Sequence, residues 1–305
     1  MDLLFHVKQL TMNQLTTCQI CQSSETKIIK RCRDQLVSGK TFGIRQCANC
    51  LFEWTDPQPS KKRIEKYYKS MEYISHSDCK LNLKDWIYHI ARAVAKHKKG
   101  NIVGKGKGLL VEIGCGTGSL LKYCQELGWR VVGIETNHKA RKTAKLKHGL
   151  VLKKSLSNAN LSENSINTIM LWHVFEHLYD PNGIITKLER LLIEEGRIII
   201  AAPNSRANEI DIYDEGWAAY DVPRHLYHYS KENMQEIAKN NGFEISKIVP
   251  LWFDAYYISI LSEQMNDNRF AFVKGLLVGT WSNLKAWLFN KEFSSIVYVL
   301  TKKQT

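Results

Sequence analysis

The chain has 305 residues, of which 44% are hydrophobic and 24% are charged. This length and apolar content allow a substantial buried core and exclude an intrinsically disordered chain. Lysine and arginine outnumber aspartate and glutamate by 43 to 30, which gives a formal charge of +13. This excess fits an anionic partner such as nucleic acid, an acidic substrate or a membrane face, but solvated lysine faces of helices explain it more simply.

The N-terminal residues lack the apolar core of a secretory signal, and no stretch reaches the roughly 18 apolar residues of a transmembrane helix. The most apolar region, Phe270 to Leu300, is interrupted by charged residues. We therefore expect a soluble, cytoplasmic protein. In that compartment the eight cysteines are thiols or metal ligands rather than disulfides.

Residues 1–17 show no periodic pattern and are interpreted as a tail. Two C-x-x-C pairs follow, and their thiols are Cys18, Cys21, Cys47 and Cys50. Two residues between thiolates let a turn direct both sulfurs at one ion, and two such turns complete a tetrahedral zinc site. The spacing predicts a structural zinc ribbon over residues 18–56, with unmetallated thiols as the alternative. Cys32 lies between the pairs and is not expected to be a ligand.

Residues 57–108 predict a helical linker or lid. A Pro57–Pro59 break precedes a short basic helix at Lys61–Ser70, and a later helix carries an apolar face from Leu83 to Val94. A helix pair directly before a nucleotide-binding domain commonly covers its pocket, although plain packing is the more frequent role.

From Leu109 onward strands and helices alternate, which predicts a mostly parallel sheet covered by helices on both faces. The predicted strands are Leu109–Ile113, Arg130–Glu135, Leu150–Lys153, Thr168–Trp172, Arg197–Ala201, Glu244–Pro250 and Ser295–Thr301. The predicted helices are Ser119–Leu127, Lys139–Lys147, Pro181–Leu192 and Lys231–Asn241. The expected fold is therefore α/β and Rossmann-like, with seven strands, and residues 109–305 form its main domain.

A glycine-rich turn follows the first of these strands. Gly114, Gly116 and Gly118 allow positive φ and close backbone approach, as in a nucleotide-binding turn. Glu135 ends the second strand about 20 residues later, where a carboxylate can accept both hydroxyls of a ribose. A dinucleotide oxidoreductase, a nucleotide-sugar enzyme and a methyltransferase share this arrangement. The spacing is G-x-G-x-G rather than the G-x-G-x-x-G that holds a pyrophosphate, which favours the methyltransferase.

The sequence V-E-I-G-C-G-T-G, followed by G-I-E-T, resembles the first two motifs of class I S-adenosylmethionine (SAM) methyltransferases. The likeness continues through W-H-V-F-E-H-L-Y-D-P and P-R-H-L-Y-H-Y, which resemble small-molecule O- and C-methyltransferases. It covers nearly all of Leu109 to Lys303 and implies a last strand that is antiparallel and inserted beside the sixth.

The resemblance also implies residue roles. The SAM-binding residues would be Glu112, Gly114, Gly116, Gly118, Glu135, Thr136 and His173. The chain lacks the aspartate that often meets the adenine amine in this family, and Ser157 or Asn158 would take its place. A segment H-x-x-E-H at His173–His177 also matches a zinc-protease pattern, but that pattern needs a continuous helix, whereas a strand ends here. A divalent ion at His173, Glu176 and His177 stays an alternative to a simple pocket wall.

Removal of a proton from the methyl acceptor calls for a base that is neutral near pH 7, which suits histidine. The candidates are His225, His228 and His177, and His225 is favoured. Arg224 either binds an acidic group of the substrate or pairs with Asp221.

Residues 251–294 form an insertion rich in aromatic residues. Its simplest interpretation is a helical cap over the acceptor site, and a membrane-facing or homodimer-forming surface is the alternative. The function predicted is methyl transfer from SAM to oxygen or carbon of a small metabolite or cell-envelope precursor, with zinc in a structural site. The alternatives are an RNA methyltransferase aided by the zinc module and a SAM-binding protein without turnover.

Overall fold

A computed structural model describes residues 12–68 and 102–303 of the chain. The predicted helix with the apolar face from Leu83 to Val94, and most of the predicted lid, lie outside these residues. The strands are β1 (Met12–Asn13), β2 (Thr26–Arg33), β3 (Thr41–Cys47), β4 (Glu53–Asp56), β5 (Gln58–Pro59), β6 (Leu109–Ile113), β7 (Arg130–Ile134), β8 (Ile166–Trp172), β9 (Leu192–Pro203), β10 (Tyr227–His228), β11 (Phe243–Pro250) and β12 (Ser295–Lys302). The α-helices are α1 (Ser119–Glu126), α2 (His138–His148), α3 (Pro181–Leu191), α4 (Ile210–Tyr213), α5 (Lys231–Asn240), α6 (Trp252–Met265) and α7 (Ala271–Lys285).

The main sheet has six strands in the order β11-β12-β9-β8-β6-β7. The strands β7, β6, β8 and β9 are parallel, whereas β12 runs antiparallel between β9 and β11. The mostly parallel Rossmann-like sheet and the position of its last strand are as predicted. In such a sheet the carboxyl ends of the central strands meet at one edge, and this edge holds the residues of the site.

The sequence prediction of a seventh strand at Leu150–Lys153 was wrong. This segment makes a single parallel bridge between Lys153 and Ile134 beside β7. Leu150 and Leu152 are buried, but the chain turns at Ser155 into the 3₁₀ helix Leu156–Ala159, so the ladder cannot continue. The outer edge of the sheet is therefore completed by one residue pair.

The helices begin and end where polar and glycine residues satisfy their terminal groups. Asn137 caps α2 by accepting hydrogen bonds from Lys139 and Ala140, and Gly149 ends this helix with a φ of 68°. Ser230 and Asn233 form a capping box at the start of α5. Local sequence therefore determines the helix boundaries around the site.

The N-terminal module shares a sheet and a core with the main domain. Its antiparallel sheet has the order β10-β4-β3-β2, in which Tyr227 pairs with Trp54 across the outermost ladder. Phe52 stacks on Tyr227 with ring centroids 5.6 Å apart, and both side chains are buried. The predicted tail is also partly structured, because β1 pairs with β5.

The insertion between β11 and β12 is the helical hairpin of α6 and α7, followed by a π-helical turn at Ala286–Asn290. The insertion is helical, but its aromatic residues are not buried as a group. Phe270, Trp281 and Trp287 are exposed, while Trp252 packs edge-on against Phe293 at 4.8 Å. Within residues 12–68 and 102–303, no helix has both the length and the apolar content needed to cross a bilayer.

Candidate active site

The glycine turn between β6 and α1 has the geometry that the sequence predicted. Gly114, Gly116 and Gly118 all have positive φ, at 69°, 54° and 75°. A Cβ on Gly114 would lie 2.3 Å from Cγ2 of Val174, whereas a Cβ on Gly116 would meet no atom of residues 12–68 and 102–303 within 4 Å. The turn is therefore closed against the end of β8 on one side and open at Gly116, where a ligand can approach the backbone.

Glu135 connects the glycine turn with the loop that follows β7. Its Oε2 accepts a hydrogen bond of 2.9 Å from the Gly116 amide, and its Oε1 accepts one of 2.7 Å from the Asn137 amide. Since β7 ends at Ile134, the carboxylate stands at the carboxyl edge of the sheet beside the glycine turn. A carboxylate in this place can accept hydrogen bonds from ribose hydroxyls.

Three other residues predicted for SAM binding differ in their exposure to solvent. Glu112 is buried in β6 at 3% exposure, whereas Thr136 is exposed and its carbonyl accepts a hydrogen bond from Arg141. Ser157 is exposed on the 3₁₀ helix Leu156–Ala159, and its hydroxyl lies 2.9 Å from that of Ser155. Thr136 and Ser157 are therefore accessible to solvent, whereas Glu112 is not.

His173 follows β8 at the same edge of the sheet, with a φ of 52°. Its Nε2 lies 3.0 Å from Oδ2 of Asp254 in α6, and its Nδ1 lies 3.6 Å from Oε1 of Glu176. Burial lowers the pKa of His173, but the two carboxylates outweigh it and raise the pKa to about 9. The side chain keeps 34% exposure, so solvent screens part of this attraction.

Glu176 is the buried centre of a histidine cluster. It is 1% exposed, and among the described residues neither carboxylate oxygen has a hydrogen-bond donor in range. Its Oε1 lies 3.9 Å from Nε2 of His225, and the candidate ligand atoms of Glu176, His177 and His225 all lie within 4.8 Å of one another. Burial raises the pKa of Glu176, but the nearby histidines together have the larger effect and lower the pKa to about 2. The carboxylate is therefore ionised.

The backbone fixes the tautomers of the two histidines in this cluster. Nδ1 of His225 lies 2.8 Å from the Ala219 carbonyl, and Nδ1 of His177 lies 2.9 Å from the Arg224 carbonyl. A carbonyl only accepts hydrogen bonds, so Nδ1 carries a proton in each ring, and in a neutral His225 the Nε2 atom keeps a lone pair. Burial, followed by the charge of His177, lowers the pKa of His225 despite the opposite effect of Asp221. His225 is thus neutral at pH 7.

His228 and Arg224, from the same sequence motif, have internal partners. His228 is 4% exposed in β10, and its Nε2 lies 3.1 Å from the Thr55 hydroxyl. Burial lowers its pKa to about 3. Arg224 is 1% exposed and contacts Asp221 at 2.6 Å, in agreement with the second of its two predicted roles.

The sequence patterns did not indicate two carboxylates that contact residues of the site. Asp254 reaches His173 from the first turn of α6, and Asp34 contacts Arg224 at 3.0 Å from the N-terminal module. Neither residue belongs to a recognisable motif, and each meets its partner only through long-range packing. By contrast, Glu176 could be found from the H-x-x-E-H segment, whose short 3₁₀ helix at Phe175–His177 excludes the helical zinc-protease geometry.

The four predicted thiols converge away from this cluster. The sulfurs of Cys18 and Cys50 are 3.5 Å apart, as are those of Cys21 and Cys47, and all four lie within 4.8 Å of one another. Tetrahedral zinc with bonds near 2.3 Å separates its sulfurs by about 3.8 Å, so the arrangement fits one ion. Cys32 is buried in β2 and is not part of this group.

The two thiol turns have the same backbone design. Gln22 donates its amide to the Cys18 carbonyl at 3.0 Å, and Leu51 donates to the Cys47 carbonyl at 3.1 Å. Both residues follow the second cysteine of a pair, and both have positive φ, at 60° and 57°. The paired turns direct the thiols to a common point, as the spacing predicted.

Comparison with known proteins agrees with this architecture. A profile described as a methyltransferase domain matches residues 82–248. An uncharacterised methyltransferase from Bacillus cereus is 31% identical over 161 residues, which cover 48% of this chain and 74% of the relative.

Two solved structures align with this chain. A chain from the complex of the Haloferax volcanii Trm112 methyltransferase activator with a methyltransferase aligns with a TM-score of 0.50 and 12% identity, covering 70% of this chain and 91% of that one. A SAM-dependent methyltransferase from Archaeoglobus fulgidus aligns with a TM-score of 0.48 and 18% identity, covering 70% and 94%. With the profile match over more than half of its length, the chain belongs to the methyltransferase domain family and is a class I SAM-dependent methyltransferase.

Proposed function

We propose that this enzyme transfers the methyl group of SAM to an oxygen or carbon atom of a small molecule and that His225 removes the proton from the acceptor. The observation that carries this proposal is the hydrogen bond of 2.8 Å between Nδ1 of His225 and the Ala219 carbonyl. It leaves the lone pair of Nε2 available in a ring that is neutral at pH 7, which is the state that a general base requires.

The neighbouring groups support the same role. Glu176 is ionised and lies 3.9 Å from Nε2 of His225, so it stabilises the imidazolium that forms when the proton arrives. His177 lies with its ring centroid 4.7 Å from that of His225 and limits the movement of this ring. We assign His177 a positioning role. We assign His228 a structural role, since Thr55 holds it inside the β10–β4 ladder.

SAM supplies an electrophilic methyl group, and the sulfur departs as a neutral thioether that needs no acid. The chain has to bind SAM, align the acceptor with the methyl group and exclude water. We propose that Gly116 and Glu135 hold the methionine and ribose parts of SAM, with Thr136 and Ser157 on the rim and His173 at the inner wall. Val174 connects the glycine turn with His173, because its side chain lies against Gly114 and it follows His173 directly in the sequence.

The cluster also offers a second candidate chemistry. Two imidazole nitrogens and one carboxylate are ligands that suit a divalent ion, and these atoms lie within 4.8 Å of one another. Such an ion would activate a hydroxyl of the acceptor in place of His225. Activity that disappears with a chelator and returns with a divalent ion, at unchanged zinc content of the thiol site, would favour this alternative.

We further propose that Cys18, Cys21, Cys47 and Cys50 hold one structural zinc ion. Thiolates would fill all four coordination positions of this ion, so no position would remain for a substrate or a water molecule. The ion would fix the two thiol turns against the main domain, since Asn233 of α5 donates a hydrogen bond of 3.0 Å to the Cys50 carbonyl.

The function can be tested by label transfer. The purified enzyme is incubated with SAM that carries an isotopic label in its methyl group. One reaction contains a metabolite extract and another contains total RNA, both from the organism that produces the protein, and each is analysed for label. We expect label in small molecules, carried on oxygen or carbon. Label only in RNA, together with binding that weakens steeply with salt, would instead establish the RNA methyltransferase.

A further inference from the structure

The outer face of the second cap helix carries a continuous stripe of apolar side chains. Nine large apolar residues, from the N-cap Phe270 through α7 and the following π-helical turn, are between 37% and 78% exposed. We call this set the α7 stripe, and it consists of Phe270, Val273, Leu276, Leu277, Trp281, Leu284, Trp287, Leu288 and Phe289. Single exposed apolar residues are ordinary on a protein surface, but a contiguous set marks an interaction surface.

The opposite face of α7 is built from small and polar residues. A Cβ on Gly275 would lie 2.6 Å from Ile260, and one on Gly279 would lie 2.8 Å from Tyr256, so the glycines allow close packing on α6. Ser282 and Asn283 are also buried on this side, and Asn283 donates a hydrogen bond of 2.8 Å to the Trp252 carbonyl.

This distribution is the reverse of an ordinary surface helix, which turns its apolar face toward the core. The backbone of α7 approaches α6 through small residues, while leucine, phenylalanine and tryptophan point away from the protein. Helices that contact lipid show the same arrangement, with small residues at the helix interface and large apolar residues outside.

The charge of this segment indicates what covers the stripe. Residues 269–291 contain four basic side chains and no acidic one. Arg269 and Lys291 are exposed at the two ends of the stripe. Lys274 and Lys285 flank it, and each also contacts a carboxylate, of Glu263 at 3.0 Å and of Asp211 at 2.7 Å. A tryptophan- and leucine-rich face bordered by basic residues is typical of helices that lie in the interface of an anionic bilayer.

We propose that the α7 stripe docks on the surface of an anionic lipid bilayer. The helix has 15 residues, which is too short to span a hydrocarbon core of about 30 Å, so it lies along the membrane plane. A second copy of the chain fits less well, because a two-fold contact through this face would oppose the four basic side chains of each copy.

The docked orientation places the candidate active site close to the membrane. The hairpin that carries the stripe also carries Asp254, whose carboxylate lies 3.0 Å from His173. Docking therefore constrains α6 at the point where it contacts the inner wall of the SAM cradle. This inference does not depend on the identity of the acceptor or on the role of His225.

Vesicle co-sedimentation of the full-length protein tests the proposal. The vesicles consist of phosphatidylcholine alone or of phosphatidylcholine mixed with phosphatidylglycerol. The test variant is Leu277→Glu/Phe289→Glu, because these side chains are 66% and 78% exposed. The matched control is Leu146→Glu/Val151→Glu, which introduces the same charges at side chains that are 76% and 73% exposed outside the stripe.

We expect the wild type and the control to bind the mixed vesicles at least about tenfold more tightly than the test variant, and to bind neutral vesicles weakly. Thermal unfolding and SAM affinity of the test variant should equal those of the control. Three results would overturn the proposal. These are no binding of the wild type to the mixed vesicles, equally tight binding of the wild type to neutral and mixed vesicles, or a loss of vesicle binding in the control as large as that in the test variant. A wild-type dimer that the test variant abolishes, without vesicle binding, would assign the stripe to a second copy.

Discussion

The guanidinium of Arg224 lies 3.0 Å from the carboxylate of Asp34, although 190 residues separate them in the sequence. Both side chains are nearly inaccessible to solvent, with 1% exposure each. Asp221 contacts the same guanidinium at 2.6 Å, so one buried cation is shared by the N-terminal module and the main domain. Arg224 directly precedes His225, and its carbonyl holds the His177 ring. The ion pair therefore connects the module to the proposed base.

The Asp34→Asn substitution should destabilise the protein strongly at neutral pH. It removes one of the two carboxylates that compensate a buried guanidinium, and the loss of such a partner costs about 3 kcal/mol of the free energy of unfolding. Urea denaturation measures this loss. A substitution of the exposed Asp267 to Asn is the control and should change the free energy by less than about 0.5 kcal/mol.

The effect of Asp34→Asn should depend on pH with a defined sign. Burial raises the pKa of Asp34, but Ser38 and Arg224 outweigh this and lower the pKa below its ordinary value of 3.8. A lowered pKa contributes stability above pH 3.8 and loses it as pH falls through the folded-state value. The difference between the wild type and the variant should therefore shrink in acid. A difference that is constant from pH 7 to pH 3 would contradict the ion pair.

The substitution Gly116→Val should abolish SAM binding in isothermal calorimetry. Gly116 has a φ of 54°, and a side chain there would enter the open space of the cradle. Gly149→Val is the matched control, since Gly149 also has a positive φ of 68° and no atom of the described part of the chain lies within 4 Å of its Cβ position. Both variants carry the same backbone strain, but only Gly116→Val should lose SAM. Glu135→Ala should weaken binding by about tenfold, and unchanged affinity in both cradle variants would refute the assignment.

The substitution His225→Gln should reduce turnover by about 10² or more while SAM affinity stays within about twofold. For the wild type, activity should rise with pH and reach its plateau below pH 7. The reason is that the lowered pKa of His225 lies under its ordinary value of 6.5, so the neutral base is already formed at pH 7. His228→Asn is the comparison variant, which should lower stability but keep the shape of the pH profile. Loss of SAM binding in His225→Gln would contradict a role confined to the acceptor.

Metal analysis of the purified protein should give about one zinc ion per chain. The Cys18→Ser/Cys21→Ser variant should lose the ion and at least about 3 kcal/mol of unfolding free energy, whereas Cys32→Ala should keep the ion. If the double variant does not fold, chelator titration of the wild type with detection of released zinc provides the same information. The absence of zinc from freshly purified wild type would refute the metal site.

The sequence predicted those features that depend on local pattern. The glycine turn, the paired thiols and the boundaries of the four helices predicted between Ser119 and Asn241 follow from neighbouring residues and agree with the structure, the boundaries to within one residue. Within the described residues, the helix predicted at Lys61–Ser70 is instead a short 3₁₀ helix at Ile64–Tyr68. The site around Glu176 depends instead on the register of distant segments, since His225 comes from a loop 49 positions later. The strand expected at Leu150–Lys153 had the right local pattern but no room for a ladder before Ser155. Periodicity also cannot distinguish a helix whose apolar face is covered from one whose apolar face is exposed.

The pairing of β4 with β10 determines the order in which this protein can complete its folding. The ribosome delivers β4 long before Tyr227 and His228, and these two residues supply the partner of Trp54 and Glu53. Until then β4 is an open edge strand, which is prone to pair with other chains. The open edge of the N-terminal module is therefore covered only after most of the main domain has been made, and contacts this distant in sequence slow folding. A fragment that ends before β10 should aggregate, so neither part of this chain can be exchanged as an independent unit in protein engineering.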